Sequence, residues 1–349
     1  LASTYELHQL RKEKQSVGST AKAQWNMQSV KNPHSAAHYG IYVFKPDSPI
    51  AALDPGLRPY IGQALWLEPH KRNLLRFSPA SDQVLSNRFG QTSACFVLYA
   101  LLPLLILALS FNSVSQEREL GTLRMLHSLA VPGKQLLFGK LAGLLAAFTL
   151  VFAPALLIAL LILIGSFSFT WDDALRLASL LILFVLYYSI FAAIAIAASA
   201  FFKTSRITLF CLLGFWLGSV FLAPRFGAVA AEVWLPNPTA SQFWDSIKKD
   251  ISQGLNNDGS HEQRAKAFEA KILAQYGVNK KEDLPLGFVS LNRQFNDSYS
   301  RRVHDLHFKR LRDNFMAQQQ RIHLASLLGP SLSIRSLSMK LAGMDLTHQ

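Results

Sequence analysis

Four long apolar runs, at about residues 94–111, 141–165, 174–202 and 207–223, decide what this chain can become. Each is near the roughly 20 residues that carry a helix across about 30 Å of hydrocarbon. Inside a bilayer every backbone N–H and C=O must find a partner within the protein, and helices do this locally. Half of the 349 residues are hydrophobic and 16% are charged, which is too apolar for an ordinary soluble domain and too charged for a chain that is membrane throughout. The sequence therefore predicts an all-α polytopic membrane protein with water-exposed regions flanking the spans. Pro103 would kink the first span, and the second holds Pro154 and no charge.

The organisation follows from the spans. Residues 1–90 form a water-exposed region with a polar helix at Tyr5 to Trp25 and a short strand at Tyr39 to Phe44, closed by Lys45-Pro46-Asp47, so a small mixed domain is expected. Residues 91–224 hold the spans, and 225–349 are expected to form a mainly helical second domain. There, Phe243, Trp244, Ile247 and Ile251 share one helical face, and Ser260-x-x-Gln263 has the form of a capping box. A longer helix is predicted over about 291–328, stopped by Gly329-Pro330, with an amphipathic piece at 332–341 after it. The chain starts at Leu rather than Met and shows no signal peptide, so it is expected to be a fragment.

Short loops set orientation. The loop after the first span carries Arg118, Arg124, Lys134 and Lys140, and the turn between the third and fourth carries Lys203 and Arg206, whereas the turn between the second and third has Asp172 and Asp173. Both basic loops should face the cytoplasm, leaving 1–90 and 225–349 extracytoplasmic. The net charge of +13 is spread over loops without a basic cluster interleaved with aromatics, which excludes nucleic acid as a partner and leaves the lipid bilayer. Cys95 and Cys211 fall in spans near opposite faces, roughly 20 Å apart by helical rise, too far to pair.

Most of the charge between the first two spans lies in Asn112 to Lys140. The knot Glu117-Arg118-Glu119 is followed by Leu120, Leu123, Leu126 and Leu129 on one helical face, and Pro132-Gly133 ends the element. A short amphipathic helix over about 114–131, held flat between two spans, is the predicted result. A soluble partner pushing on it would move the spans on either side.

Other chemistries lack residues. Between their flanking positions the spans hold no Asp, Glu, Lys, Arg or His, which argues against ion-coupled transport. Gly133 to Leu141 has five residues between its glycines and Leu where a phosphate loop needs Ser or Thr, so the chain does not hydrolyse ATP itself. Neither Gly-x-Ser-x-Gly nor His-Glu-x-x-His occurs, and no enzyme is predicted. His34 with His38, four apart, and His304 with His307, three apart, have spacings that can serve zinc or copper. Neither pair has a nearby Cys or a clear third ligand, so both are read as ordinary polar positions and no metal site is expected. Gly139-x-x-x-Gly143 and Gly214-x-x-x-Gly218 fit close helix packing, read first as packing within one subunit and second as a contact between two.

The stretch Gln116-Glu117-Arg118-Glu119-Leu120-Gly121-Thr122-Leu123-Arg124, followed by Pro132 and Gly139-Lys140, resembles the membrane subunits of type-2 ATP-binding-cassette (ABC) exporters. In that family such a stretch forms the cytoplasmic coupling helix. The flanks resemble a bacterial branch with large extracytoplasmic domains, through Asn32-Pro33-His34-Ser35-Ala36-Ala37-His38-Tyr39-Gly40, Leu53-Asp54-Pro55-Gly56, Arg88-Phe89-Gly90, Leu235-Pro236-Asn237-Pro238 and Ala342-Gly343-Met344-Asp345. Members of that branch have six spans, so the resemblance implies that both end spans lie outside this sequence. It further implies a permease half in the bacterial inner membrane that pairs with a second permease, identical or similar, and with two cytoplasmic ATPase subunits that bind ATP and Mg. Glu117, Arg118, Glu119, Gly121, Thr122, Leu123 and Arg124 would be the ATPase-binding residues. Two other readings stay open: a complex that uses ATP to act on an envelope partner without transport, and a membrane-anchored binding or scaffold protein outside the ABC class.

Overall fold

The computed structural model describes residues 2–69, 72–78, 94–129, 131–325 and 329–348. Arg88-Phe89-Gly90 lies outside the described residues. The protein is an all-α polytopic membrane protein with, among the described residues, one small two-stranded sheet. The chain divides into two compact units, Leu1–Arg225 with Ala325–Gln349, and Phe226–Leu324.

The first unit opens with α1 (Ala2–Asn26) and the short α2 (Pro33–Ala37). Strands β1 (Ile41–Phe44) and β2 (Ala64–Leu67) then pair antiparallel, Ile41 opposite Leu67 and Phe44 opposite Ala64. Strand β2 is not legible in the sequence, because a four-residue Ala-Leu-Trp-Leu run is too short to show a period. Leu7 of α1 is fully buried with Ile50, Ala51 and Ala52 in the same core as Leu163 and Phe167, so this region is joined to the spans rather than free of them. The Arg11 guanidinium lies 4.5 Å over the Phe167 ring.

Among the described residues four helices are long and apolar enough to cross a membrane, over Ala94–Glu119, Gly133–Ser166, Trp171–Phe201 and Ser205–Trp234. The first of these contains α3, built from Ala94–Phe96, a π-helical turn Val97–Leu101 and Leu102–Ser110. After it come α4 (Ser115–Glu119), α5 (Thr122–Ser128), α6 (Gly133–Ser166), α7 (Trp171–Phe201), α8 (Ser205–Leu217), a π-helical turn Gly218–Leu222, and α9 (Ala223–Trp234). At about 1.5 Å per residue the 34 residues of α6 run about 51 Å, longer than hydrocarbon requires. Its first turns, with Lys134 and Lys140, are therefore a helical extension of the loop end. Thr170 and Asp173 cap each other's backbone N–H at the start of α7, and Thr204 caps α8.

The bundle is organised on α7. Its buried residues Leu177, Leu180, Phe184, Tyr187, Phe191, Ala195 and Ser199 recur every three or four positions and form one continuous stripe. That stripe meets α3, α6 and α8. Pro103 explains the contact with α3. In α-helical register its missing N–H would serve the Tyr99 carbonyl, and in the π register of the preceding turn it would serve Leu98. Both carbonyls instead accept from α7: Tyr187 Oη donates to Tyr99 O at 2.7 Å and Tyr188 Oη to Leu98 O at 3.1 Å. Trp216 Nε1 of α8 donates to the next carbonyl, Ala100 O, at 2.9 Å. A defect in one span thus becomes the bond to two others.

The two cysteines form no disulfide, Cys95 being buried and Cys211 exposed. A Cβ added at Gly139, Gly143, Gly214 or Gly218 would meet no atom within 4 Å, so these glycines do not seat one helix of the described chain against another. The expectation of packing within the subunit is not what the geometry shows.

The last segment differs from the expected boundary at 225. Helix α13 (Pro330–Leu341) returns to the first unit, burying Leu332, Ile334, Ser336 and Ser338. Ser331 Oγ and Ser219 Oγ share a hydrogen bond of 2.7 Å. Two stretches singled out in the sequence meet here. Leu57 N donates to Met344 O at 2.9 Å, Ser338 Oγ donates to Asp54 Oδ2, and a Cβ at Gly56 would lie 2.5 Å from Met344 O. The chain passes so closely, with φ +48° at residue 56, that only glycine fits.

The second unit contains most of α9, with α10 (Ala240–Gln253), α11 (His261–Tyr276) and α12 (Phe288–Ala325). Its core holds Phe243, Ile247, Leu255, Tyr299 and Val303, with Trp244 and Ile251 packed against it. The Ser260 and Gln263 capping box forms as the spacing predicts. Leu235-Pro236-Asn237-Pro238 is held by α12, with Asn314 Nδ2 donating to Asn237 Oδ1 at 2.8 Å and Gln318 Nε2 to Leu235 O. His307 pairs with Asp250 at 2.7 Å, while His304 Nδ1 bonds Ser300 O, so the structure sends these two imidazoles to different partners.

Candidate coupling site

The predicted single helix over 114–131 is two helices with an elbow. Gly121 adopts φ +79° between α4 and α5, a left-handed conformation that ends one helix and starts another. Glu-Leu-Gly-Thr reads as a helix continuing, which is why spacing does not reveal the break. No atom lies within 4 Å of a Cβ placed there, so the glycine is required by backbone and not by crowding.

Before the elbow, all three charged side chains engage neighbouring spans, Glu117 and Arg118 partly buried and Glu119 exposed. Arg118 donates from Nη1 to Phe202 O and from Nη2 to Ala200 O at 2.6 Å, covering the last carbonyls of α7, where a helix end is electronegative. Glu119 accepts from Ser205 N at 2.7 Å and Ser205 Oγ at 3.1 Å, at the electropositive start of α8. Glu117 accepts from Lys140 Nζ of α6 at 2.7 Å. Its other oxygen, Oε2, is buried without a hydrogen-bond partner among the described residues.

A serine cluster fills the space beneath. Ser199 Oγ, fully buried on α7, accepts from Val114 N at 2.9 Å and Ser115 N at 3.0 Å, capping α4 from another helix. Ser115 Oγ and Ser205 Oγ are 3.0 Å apart, and Thr122 Oγ1 donates to Glu117 O at 3.2 Å. Helix α4 is thus bonded to the end of α7, the start of α8 and the early turns of α6. Both basic loops consequently lie at one end of the bundle.

After the elbow the picture reverses. On α5, Thr122 and Arg124 are exposed and Leu123 and Leu126 are partly covered. Met125 of α5, the flanking Leu120 just before the elbow, and Leu129 are 60%, 70% and 67% exposed, a degree of exposure that leaves an apolar surface for something outside the chain. Of the residues singled out for this site, Glu117, Arg118 and Glu119 are brought together in a clamp on three neighbouring helices, and Thr122 and Arg124 lie on the open side. Ser199 and Ser205 escape sequence reasoning, since isolated serines at the ends of apolar spans carry no pattern.

The fold and this bonded loop define a multi-pass helical membrane protein with an exposed short helix hung from three of its spans. The chain belongs to the ABC-2 family transporter proteins, whose family description it matches over residues 3–274. Residues 240–349 match a further family described as a domain of unknown function (DUF3526). No curated protein and no solved structure matches the chain. Membership makes this an ABC transporter permease, a membrane component that associates with a cytoplasmic ABC ATPase carried on a separate subunit.

Proposed function

We propose that the chain is one permease half of a bacterial inner-membrane exporter, with α4 and α5 as its coupling device. The supporting observation is the division of labour at Gly121: a clamp on one side that grips three spans, and an exposed amphipathic helix on the other. Helix α5, through Thr122, Leu123, Arg124 and Met125 with the flanking Leu120 and Leu129, docks on the ATPase subunit. The clamp of Glu117, Arg118 and Glu119 passes the displacement to α6, α7 and α8. ATP and Mg bind to the partner, and two nucleotide states move the spans only by contacting α5 differently. The basic end is cytoplasmic by the charge of its short loops. A second permease, identical or similar, completes the unit, and the outward-open Gly139, Gly143, Gly214 and Gly218 leave room for close helix approach.

Co-purification of the full-length protein, gently solubilised, tests the reading. An ATPase with a phosphate loop should accompany the unsubstituted protein and be lost from a Met125→Glu, Leu129→Glu double variant, while Arg118→Met retains it. Equal recovery of the ATPase with the double variant, or its absence from the unsubstituted preparation, overturns the assignment.

One observation favours a second reading, action on an envelope partner without transport. The flank at Asp54 and Leu57 is bonded to Ser338 and Met344, and α13 packs on α7, so motion of the spans would be carried into the water-exposed elements at the far end.

A further inference from the structure

The two exposed imidazoles of His34 and His38 are set as a chelate. Their Nε2 atoms are 3.1 Å apart, with the rings edge to face at 82° and centroids 4.6 Å apart. Two nitrogens at about 2.0–2.1 Å from one metal are separated by about 3.3 Å at a tetrahedral angle and about 2.9 Å at a right angle. The observed separation lies between these values.

The backbone holds that geometry. Asn32 caps the turn, its Oδ1 accepting from His34 N at 2.9 Å, and Pro33 occupies the first helical position. His38 N closes the i to i+4 bond onto His34 O at 3.3 Å, which puts both imidazoles on one face. Gly40, at φ +67°, ends the turn under the Trp66 indole, where a Cβ would lie 2.3 Å from the ring. The cap, the proline and the covered glycine fix a turn of only five residues that would not persist by itself.

We infer that His34 and His38 form a divalent transition-metal site, with Cu(II) as the preferred ion. Among the described residues no group of three or more His, Cys, Asp or Glu converges, so a closed four-ligand zinc centre is not formed there. Two imidazoles with the remaining positions left to water or an exogenous ligand suit a tetragonal N,O set. Such sites bind divalent metals in an order that peaks at copper. Metal uptake requires both Nε2 atoms unprotonated, so any proton shared between the rings moves to Nδ1 or is released, and binding weakens as pH falls. Both residues lie on the face opposite the coupling loop under the orientation proposed above, but the site itself does not depend on that orientation.

The test uses the full-length protein, purified without a polyhistidine tag, stripped with chelator and titrated with Cu(II) against a competing chromophoric chelator. Electron paramagnetic resonance should show a single Cu(II) with two equatorial nitrogens. His34→Ala and His38→Ala should each abolish that two-nitrogen signature and weaken binding by at least the ~10–100-fold typical of lost support around a metal site. His304→Ala should leave it unchanged. Because the imidazoles are exposed, thermal unfolding of the variants should match the unsubstituted protein. Copper affinity and spectrum unchanged in both His34→Ala and His38→Ala would overturn the proposal, leaving a simple imidazole to imidazole hydrogen bond.

Discussion

At the scale of residues, the structure is governed by a few backbone groups with unusual partners. Pro103 withholds an N–H, and Tyr187 supplies the replacement donor to Tyr99 O. Replacing Tyr187 with Phe keeps the ring and removes the hydroxyl that makes this bond. Stability should fall by about 0.6–1.7 kcal/mol, the range for hydrogen bonds between membrane helices, measured by denaturant unfolding in micelles. A loss near zero would show that water or another donor reaches the carbonyl. Gly121 poses the opposite case, because its surroundings are open. Gly121→Val should cost about 1–2 kcal/mol through backbone strain alone, and Gly121→Asn distinctly less, since asparagine tolerates the left-handed region. Equal costs for the two would mean that the elbow is not strained. That Pro103 interrupts the hydrogen-bonding of its span was legible in the sequence. Its partners were not, because Tyr187, 88 residues away, can be matched to Tyr99 only once the register of the two spans is known.

At the scale of elements, the loop of α4 and α5 shows what helical spacing can and cannot tell. Spacing identifies a short amphipathic piece between two spans but not the break at Gly121, which parts Leu120 from Leu123 and Leu126. It says nothing of whether Glu117, Arg118 and Glu119 face outward or inward, and the carbonyls of Ala200 and Phe202 that bind Arg118 belong to a helix end with no sequence mark of its own. Arg118→Met should therefore loosen the turn between α7 and α8, at about 1–3 kcal/mol for lost charge-assisted hydrogen bonds, and raise amide exchange in Thr204 and Ser205. Unaltered protection there would separate α4 from the turn. The second unit was more legible. Its faces are amphipathic in water, and the capping residues Thr239 and Ser260 stand one position before their helices.

At the scale of the whole molecule, the division of the chain was the least legible feature. The sequence shows where polarity changes, near residue 225, but not that residues beyond 325 rejoin the first unit. The reason is that α13 is a modestly apolar helix whose buried serines, Ser331 and Ser338, are matched to Ser219 and Asp54, partners that patterning cannot pair. Membrane orientation is testable at this scale. In a background with Cys95→Ala and Cys211→Ser, an impermeant maleimide applied outside intact cells should label Ser168→Cys and Ser241→Cys and spare Ser128→Cys. The reverse pattern would invert the protein in the membrane.

Three successive carbonyls of α3, at Leu98, Tyr99 and Ala100, are held by donors from α7 and α8. Sliding α7 along α3 by even part of a turn would strip both tyrosine bonds at once in a medium that offers no substitute. These three helices therefore behave as one rigid beam with a locked spline. Helix α6, the least enclosed of the four spans among the described residues, carries Pro154 inside it and is joined at the loop end by the Glu117 to Lys140 contact. If α5 is the ATPase contact proposed above, a push delivered at the elbow should be resolved as rotation of the beam against α6, with Pro154 as the hinge.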